Sequence, residues 1–337
     1  VQKILYGIGA LVALFLLGGL LLPAKSQFVV SADVDAPRAT VFALVNDMQR
    51  ANLWAPVAVA DPNARVVYAG PARGEGSTVT WDGSIAGSGT QTISLSQPYE
   101  RIETTINAGE DGESHTAFEF AEGAGFTRVS WRFEHDYGLN IVGRYVGLMI
   151  TGVIRQEFEK HIESLRELAE TLPRADFSGV EIEQLVVESM DIAYLRTRSA
   201  PAAGSTSEAM GEALFEVLYF IDENNLAEAG APLSIARAFD GAQLSFDSAI
   251  PVRGLTSDTA RDGDGVRIGQ TYAGPVLRVK HVGSYRRLGE THRKIAAYIA
   301  ALGIERNGDS WESYVSDPTN TDEAELLTYI YYPVRTP

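Results

Sequence analysis

Trp311-Glu312-Ser313-Tyr314 sets one carboxylate inside a run of aromatic residues. A carboxylate ringed by aromatics combines charge pairing with cation–π attraction, which suits a flat, lipophilic cation. Tyr285, Tyr314, Tyr329 and Tyr331 are candidate walls, with Trp311 next to the charge. On a strand Tyr329 and Tyr331 share one face and Tyr332 lies on the other. The competing reading is an ordinary strand glutamate facing solvent beside core aromatics. Upstream, Trp54, Trp81 and Trp131 are large enough to line a cavity for an apolar ligand, with plain core packing as the alternative for each. Other chemistries are excluded by residue type. There are no cysteines, hence no disulfide, thiolate metal site, cysteine nucleophile or iron–sulfur cluster. The five histidines (His115, His135, His161, His281, His292) show neither HxxxH nor HExxH spacing, so neither a metal nor a cofactor is expected. There is no GxSxG elbow, no P-loop and no GxGxxG after a strand; the glycine-rich run Gly70–Gly76 is a hairpin turn.

The elements that must position these residues can be read from hydrophobic periodicity. Phe28 to Val34 is extended, and Asp35-Ala36-Pro37 punctuates it ahead of a helix carrying Val41, Phe42 and Val45. Six period-2 stretches follow, around Val66–Tyr68, Thr78–Trp81, Thr92–Leu95, Ile102–Ile106, Thr116–Phe120 and Val129–Phe133. Residues 141–172 then read as a long helix, with Phe158, Ile162, Leu165 and Leu168 on one face and Glu157, Lys160, Glu163, Arg166 and Glu167 on the other. Arg128 and Arg132 alternate with Trp131 and so face solvent. A long helix across a curved antiparallel sheet usually encloses space. Pro173 and the polar residues to Gly179 form a linker.

Beyond the linker the chain repeats itself. The first copy runs strand (Ile192–Arg196), helix (Ser207–Asn224), strand (Leu233–Ala236) and a strand closing on Ala249–Val252. The second runs strand (Val276–His281), helix (Tyr285–Leu302), strand (Trp311–Val315) and strand (Thr328–Val334). Two such units related by a pseudo-twofold would surround a shared groove. Ser234 occupies the position in the first copy that Glu312 holds in the second, giving the groove one charge.

Two resemblances attach to these stretches. DAPRATVFALVND, LWAP, SQPYERI, TRVSWRFEH and the closing amphipathic helix resemble the Bet v 1-like, START-related SRPBCC superfamily (polyketide cyclase/lipid transport). That resemblance implies a helix-grip fold that binds hydrophobic ligands between helix and sheet, a minority of members doing chemistry there. VKHVGSYRRLGETHRKIAAYI, WESYVSDP and LLTYIYYPV are similar to the GyrI-like effector-binding domain, the ligand sensor of multidrug-responsive regulators. This resemblance implies that Glu312, in the W-E-x-Y strand, points into the central groove. Some GyrI-like proteins are hydrolases that open strained rings with that glutamate, in which case Glu312 would act as base or position water. No DNA-binding helix-turn-helix precedes the domain here.

At the other end of the chain, residues 4–24 contain no charged residue and cover the roughly 30 Å hydrocarbon core at about 1.5 Å per helical residue. Pro23 ends that helix. The rival reading is a cleaved signal peptide, since Ala24-Lys25-Ser26 loosely imitates a cleavage site, although the apolar stretch exceeds the usual h-region. Lys3 and Lys25 flank the span and bias its orientation only weakly. The formal net charge of −16 argues against nucleic acid and against a body lying on anionic lipid.

The expectation is an α+β chain: a transmembrane anchor (1–25), a Bet v 1-like helix-grip domain (27–172) and a tandem strand-helix-strand-strand GyrI-like domain (180–337). Its expected role is binding a lipophilic or amphipathic small molecule without covalent chemistry, for sequestration, sensing or transfer at the membrane. The site residues would be Glu312, Trp311, Tyr314, Tyr285, Tyr329 and Tyr331, with Trp54, Trp81 and Trp131 in the first domain. The expected location is a bacterial inner membrane, single-pass, with the soluble domains periplasmic. Two other readings stay open: an accessory subunit whose partner is a larger membrane complex, and a hydrolase using Glu312.

Overall fold

The computed structural model describes residues 2–56, 61, 63–85, 87–108, 112–201, 203–256, 259, 262–263 and 265–335. The outermost residues of the expected domains, 1 and 336–337, lie outside these. The chain forms two compact units, one of Val1–Ser178 with Ala300–Gly303 and the other of Gly179–Ile299 with Ile304–Pro337.

The first unit starts with helix α1 (Gln2–Leu21), which ends two residues before Pro23. Strand β1 (Lys25–Val34), short helices α2 (Arg38–Val45) and α3 (Met48–Ala51), and six further strands follow. These are β2 (Arg65–Ala69), β3 (Thr78–Gly83), β4 (Gly87–Gln97), β5 (Arg101–Ala108), β6 (Glu113–Glu122) and β7 (Thr127–Asp136). Helix α4 (Ile141–Glu170) closes the unit. Local chemistry sets the helix starts. Pro37 precedes α2, Asp47 caps α3 by accepting from the Gln49 and Arg50 amides, and Asn140 caps α4 by accepting from the Gly143 amide at 2.8 Å.

Among the described residues the seven strands form one antiparallel sheet in the order β1-β7-β6-β5-β4-β3-β2. Alternation sends Val129, Trp131 and Phe133 of β7 inward and Arg128 and Arg132 to solvent. The Gly70–Gly76 run makes the β2–β3 turn, with Gly70, Gly74 and Gly76 at φ 79°, 77° and 87°, where a side chain would be strained. Ile162, Leu165 and Ala169 of α4 are buried against this inner face, which is the helix-grip arrangement that the resemblance implied.

The second unit contains strands β8 (Ile182–Val187), β9 (Asp191–Ser199), β10 (Ala227–Glu228), β11 (Leu233–Phe239), β12 (Leu244–Arg253), β13 (Asp262–Gly263), β14 (Val266–Gln270), β15 (Gly274–Val282), β16 (Trp311–Tyr314) and β17 (Leu327–Pro333). Helix α5 (Ala203–Glu223) lies between β9 and β10, and α6 (Leu288–Leu302) between β15 and β16. The sheet order among the described residues is β13-β14-β9-β12-β11-β16-β17-β15-β8, with β10 on β12. The two copies, β9-α5-β11-β12 and β15-α6-β16-β17, therefore meet where β11 pairs antiparallel with β16, and Ser234 is the direct partner of Glu312. The two positions matched by the repeat thus sit side by side at its centre.

Both helices pack on the same face. Val217 and Ile221 of α5 bury against Ala193 and Ile250, while Ile295 and Ile299 of α6 bury against Val279 and Ile330. Register links the two halves through Ser248, Ser234 and Glu312, whose side chains share that face. Ile192, Leu233, Ala249, Val276 and Trp311 make a second apolar layer on the opposite face.

Candidate functional site

Strand β16 is four residues long, and its alternation turns Glu312 and Tyr314 toward the helices and Trp311 and Ser313 away. Glu312 meets a side chain that the sequence reading passed over. His292 of α6 approaches Glu312 Oε1 through Nε2 at 2.6 Å, and its Nδ1 lies 2.6 Å from the Tyr332 hydroxyl. The Tyr314 hydroxyl donates to Glu312 Oε2. An ionised carboxylate only accepts, so with Glu312 as carboxylate the imidazole donates through Nε2. Nδ1 is then free to accept from the Tyr332 phenol, or to donate to it when the ring is imidazolium. The result is a continuous chain, Tyr332–His292–Glu312–Tyr314. Tyr285 joins it edge-on to Tyr314, ring centroids 5.2 Å apart. Arg306 lies 5.0 Å from the centre of the Tyr332 ring. The Glu312 side chain keeps 18% of its surface exposed and His292 29%, so the pair is partly open to solvent.

The remaining expected wall residues lie elsewhere. Trp311 stacks on its cross-strand partner Tyr331 at 4.8 Å with the planes 7° apart. Tyr329 stands beside Tyr331, and the Arg278 guanidinium lies 4.8 Å from its ring centre. These three rings occupy the face opposite Glu312. The structure thus gathers Glu312, Tyr314 and Tyr285, separates them from Trp311, Tyr329 and Tyr331, and adds His292 and Tyr332. A signal for His292 was present in the repeat. It lies four residues after Leu288 and three before Ile295, on the buried stripe of α6, where the first copy carries Leu214.

Both network phenols stay protonated well past neutrality. Burial, reinforced by the Glu312 carboxylate, pushes Tyr314 well above the ordinary phenol value. For Tyr332 burial leads, Arg306 opposes it and Glu312 adds to it, with the result pushed up to about 12. A phenol raised by folding contributes stability that is complete below the unfolded value near pH ~10 and is lost as pH climbs through the folded one. Alkaline unfolding is therefore expected to set in above pH ~10, with the Tyr332 part lost by about pH 12. Phenolate absorbance and far-UV circular dichroism, followed together, should show less of this loss in Tyr332→Phe than in the parent chain.

In the first unit, Trp54 and Trp131 come together and Trp81 does not join them. Trp131 stacks on Phe158 of α4 at 3.9 Å and on Phe118 of β6 at 4.6 Å, with Trp54 edge-on at 5.7 Å. These rings fill the space between helix and sheet at that level. The Trp54 indole donates to the Leu44 carbonyl at 3.1 Å, whereas the buried Trp131 N–H has no hydrogen-bond partner among the described residues. Trp81 is half-buried and lies over Gly89, its cross-strand partner on β4, where a Cβ would collide with the indole. Among the described residues no group of three or more histidine, aspartate or glutamate side chains is arranged to hold a metal.

Comparison with known proteins matches the two units separately. Residues 25–170 match the family described as polyketide cyclase / dehydrase and lipid transport, and residues 180–335 the GyrI-like small molecule binding domain. Similar solved structures include the EcmrR C-terminal domain, 14% identical, covering 47% of this chain and 99% of that one with a TM-score of 0.40. A protein from Chromobacterium violaceum is 15% identical over 43% of this chain and 98% of its own, with a TM-score of 0.34. A hydrolase from Listeria innocua is 14% identical over 46% and 92%, also with a TM-score of 0.34. No curated protein matches the chain. Behind an apolar N-terminal helix, the chain carries in tandem a segment that matches the polyketide cyclase / dehydrase and lipid transport family and one that matches the GyrI-like small molecule binding domain.

Proposed function

We propose that this chain is a membrane-anchored binding protein for a lipophilic or amphipathic small molecule, with Glu312 as its charged recognition group. The observation that carries this reading is the placement of the Glu312 carboxylate. It is partly open to solvent at the centre of the repeat, beside Tyr285, Tyr314 and His292. With a neutral imidazole the network carries one negative charge, which a lipophilic cation would neutralise next to aromatic rings. The match to a small-molecule-binding family supports the same reading. Helix α1 is long and apolar enough to cross a bilayer, although a signal sequence shares those properties. As an anchor it would hold the binding domains where apolar solutes concentrate, raising their effective concentration without adding a contact. We place the acidic body on the periplasmic side of a bacterial inner membrane, away from the anionic cytoplasmic leaflet.

The test is calorimetric titration of the full chain in detergent with tetraphenylphosphonium and with uncharged tetraphenylmethane-type analogues. Binding of the cation, weakened about 10- to 100-fold in Glu312→Gln, is the expected result for loss of a charge-assisted contact. Absence of binding, or binding untouched by the substitution, would sink the assignment to Glu312. The 2.6 Å His292–Glu312 contact also favours a second reading, a hydrolase in which Glu312 draws a proton from water. In that case Glu312→Gln would abolish turnover of a strained electrophile while leaving its binding largely intact.

A further inference from the structure

Helix α4 changes character halfway along. Val142, Val146, Met149 and Val153 recur at helical spacing on its outward face, and the same face continues with Lys160 and Glu167. In the first half the exposed side chains are apolar: Val153 is 60% exposed, Leu148 64% and Met149 79%, and Leu139 just before the helix is 84% exposed. Between Tyr137 and Ile154 the sequence has one charged residue, Arg144, and that side chain is buried. Its guanidinium turns inward to the Leu20 and Leu22 carbonyls at the end of α1, at 3.2 and 3.3 Å, and to the Gly138 carbonyl. In the second half the surface is laced with ion pairs such as Lys160–Glu157 and Arg166–Glu163. A contiguous exposed apolar patch of this kind marks a contact surface on a soluble domain.

The occupant follows from what adjoins the patch. The apolar half of α4 packs along the last two turns of α1. Tyr145 stacks on Phe15 at 4.7 Å, and its hydroxyl donates to the Phe15 carbonyl at 3.0 Å. Gly18 and Gly19 make this approach possible, because a Cβ on either would collide with Tyr145 or Ile141. Only Leu22, Pro23 and Ala24 separate the end of α1 from β1, a reach of about 10 Å when fully extended. If α1 spans a bilayer, the start of α4 lies at the depth of its last turns, and the first unit has no linker to lift it clear of the lipid.

We propose that the first half of α4, residues 141–154, is a second membrane element, its outward face buried in the interfacial layer beside the end of α1. The depth would be the roughly 5–10 Å common to interfacial helices. This rests on the anchor reading. It adds that the helix-grip domain is seated on the bilayer, with the end of its long helix in contact with acyl chains. The occupant is lipid because the patch is continuous with the bare apolar surface of α1, and its one charge is spent on the carbonyls of that helix.

The absence of cysteine permits a direct test in the full chain. Single cysteines at Leu11, Met149 and Glu167 would carry an environment-sensitive fluorophore, with the protein reconstituted in phosphatidylcholine vesicles. Quenching by nitroxide-labelled lipid and by aqueous iodide is then compared. The expected result is strong lipid quenching at Leu11 and Met149, several-fold above that at Glu167, with iodide quenching dominant only at Glu167. Lipid quenching at Leu11 with iodide quenching at Met149 would overturn the proposal and leave the anchor standing. Protection of Met149 from both quenchers would overturn it in favour of a protein covering the patch. No lipid quenching at either position would remove the anchor and the proposal together.

Discussion

Trp131→Ala is expected to destabilise the first unit by about 3–5 kcal/mol, the range for deleting a large buried aromatic. The ring is 5% exposed and lies between Phe158 and Phe118, so its removal takes away stacking on both sides and leaves a void bounded by a sheet and a long helix. Neither wall can collapse easily. Trp131→Phe should cost far less. It keeps most of the apolar contact and removes an indole N–H that is buried without a partner among the described residues, a burden of about 1–3 kcal/mol in the parent. Native-state hydrogen exchange on peptides from β6, β7 and α4 resolves this unit from the other. A loss below about 1 kcal/mol for alanine would show the stack to be loosely held, as the lining of a ligand cavity would be.

The second large effect is expected at Asp247, which is fully buried on β12. Arg196 reaches it from β9 and Arg237 from β11, and Arg237 also holds Asp309 at 2.7 Å. Replacing both arginines by methionine would leave a buried carboxylate without a counter-charge, at a cost of about 3–5 kcal/mol to the second unit. Adding Asp247→Leu should return a large part of that loss, because the penalty lies in the stranded charge rather than in the missing attraction. Exchange protection in α5 and β12 is the measurement. Failure of the leucine to rescue would mean that the cluster is held by packing of the arginine stems.

Most of the architecture was legible in the chain because it is written in two strong periods. The six alternating stretches of the first unit became β2 to β7, and the apolar stripes became α4, α5 and α6. Edge strand β8 escaped notice, since its six residues alternate weakly and expose Val186. The site was less legible, for a different reason. Alternation told which tyrosines of β17 share a face, but the pairing of Trp311 with Tyr331 depends on register, and no spacing within one strand reports that. His292 was hidden by residue type: a histidine on a buried stripe reads as packing until its partners across the sheet are known. The bare face on the first half of α4 was equally illegible, because periodicity cannot tell a face buried by protein from one left exposed.

The pairing of Ser234 with Glu312 bears on how a duplicated domain can evolve. Cross-strand partners hold their Cβ atoms about 5 Å apart, and like charges directly opposite destabilise a sheet. At the axis of this repeat a residue faces its own counterpart, so a carboxylate in both copies would set two like charges side by side and destabilise the sheet unless the pair shared a proton. Serine in the first copy avoids that repulsion, and any guest recognised by Glu312 meets a polarised, one-sided surface inside an otherwise repeated frame.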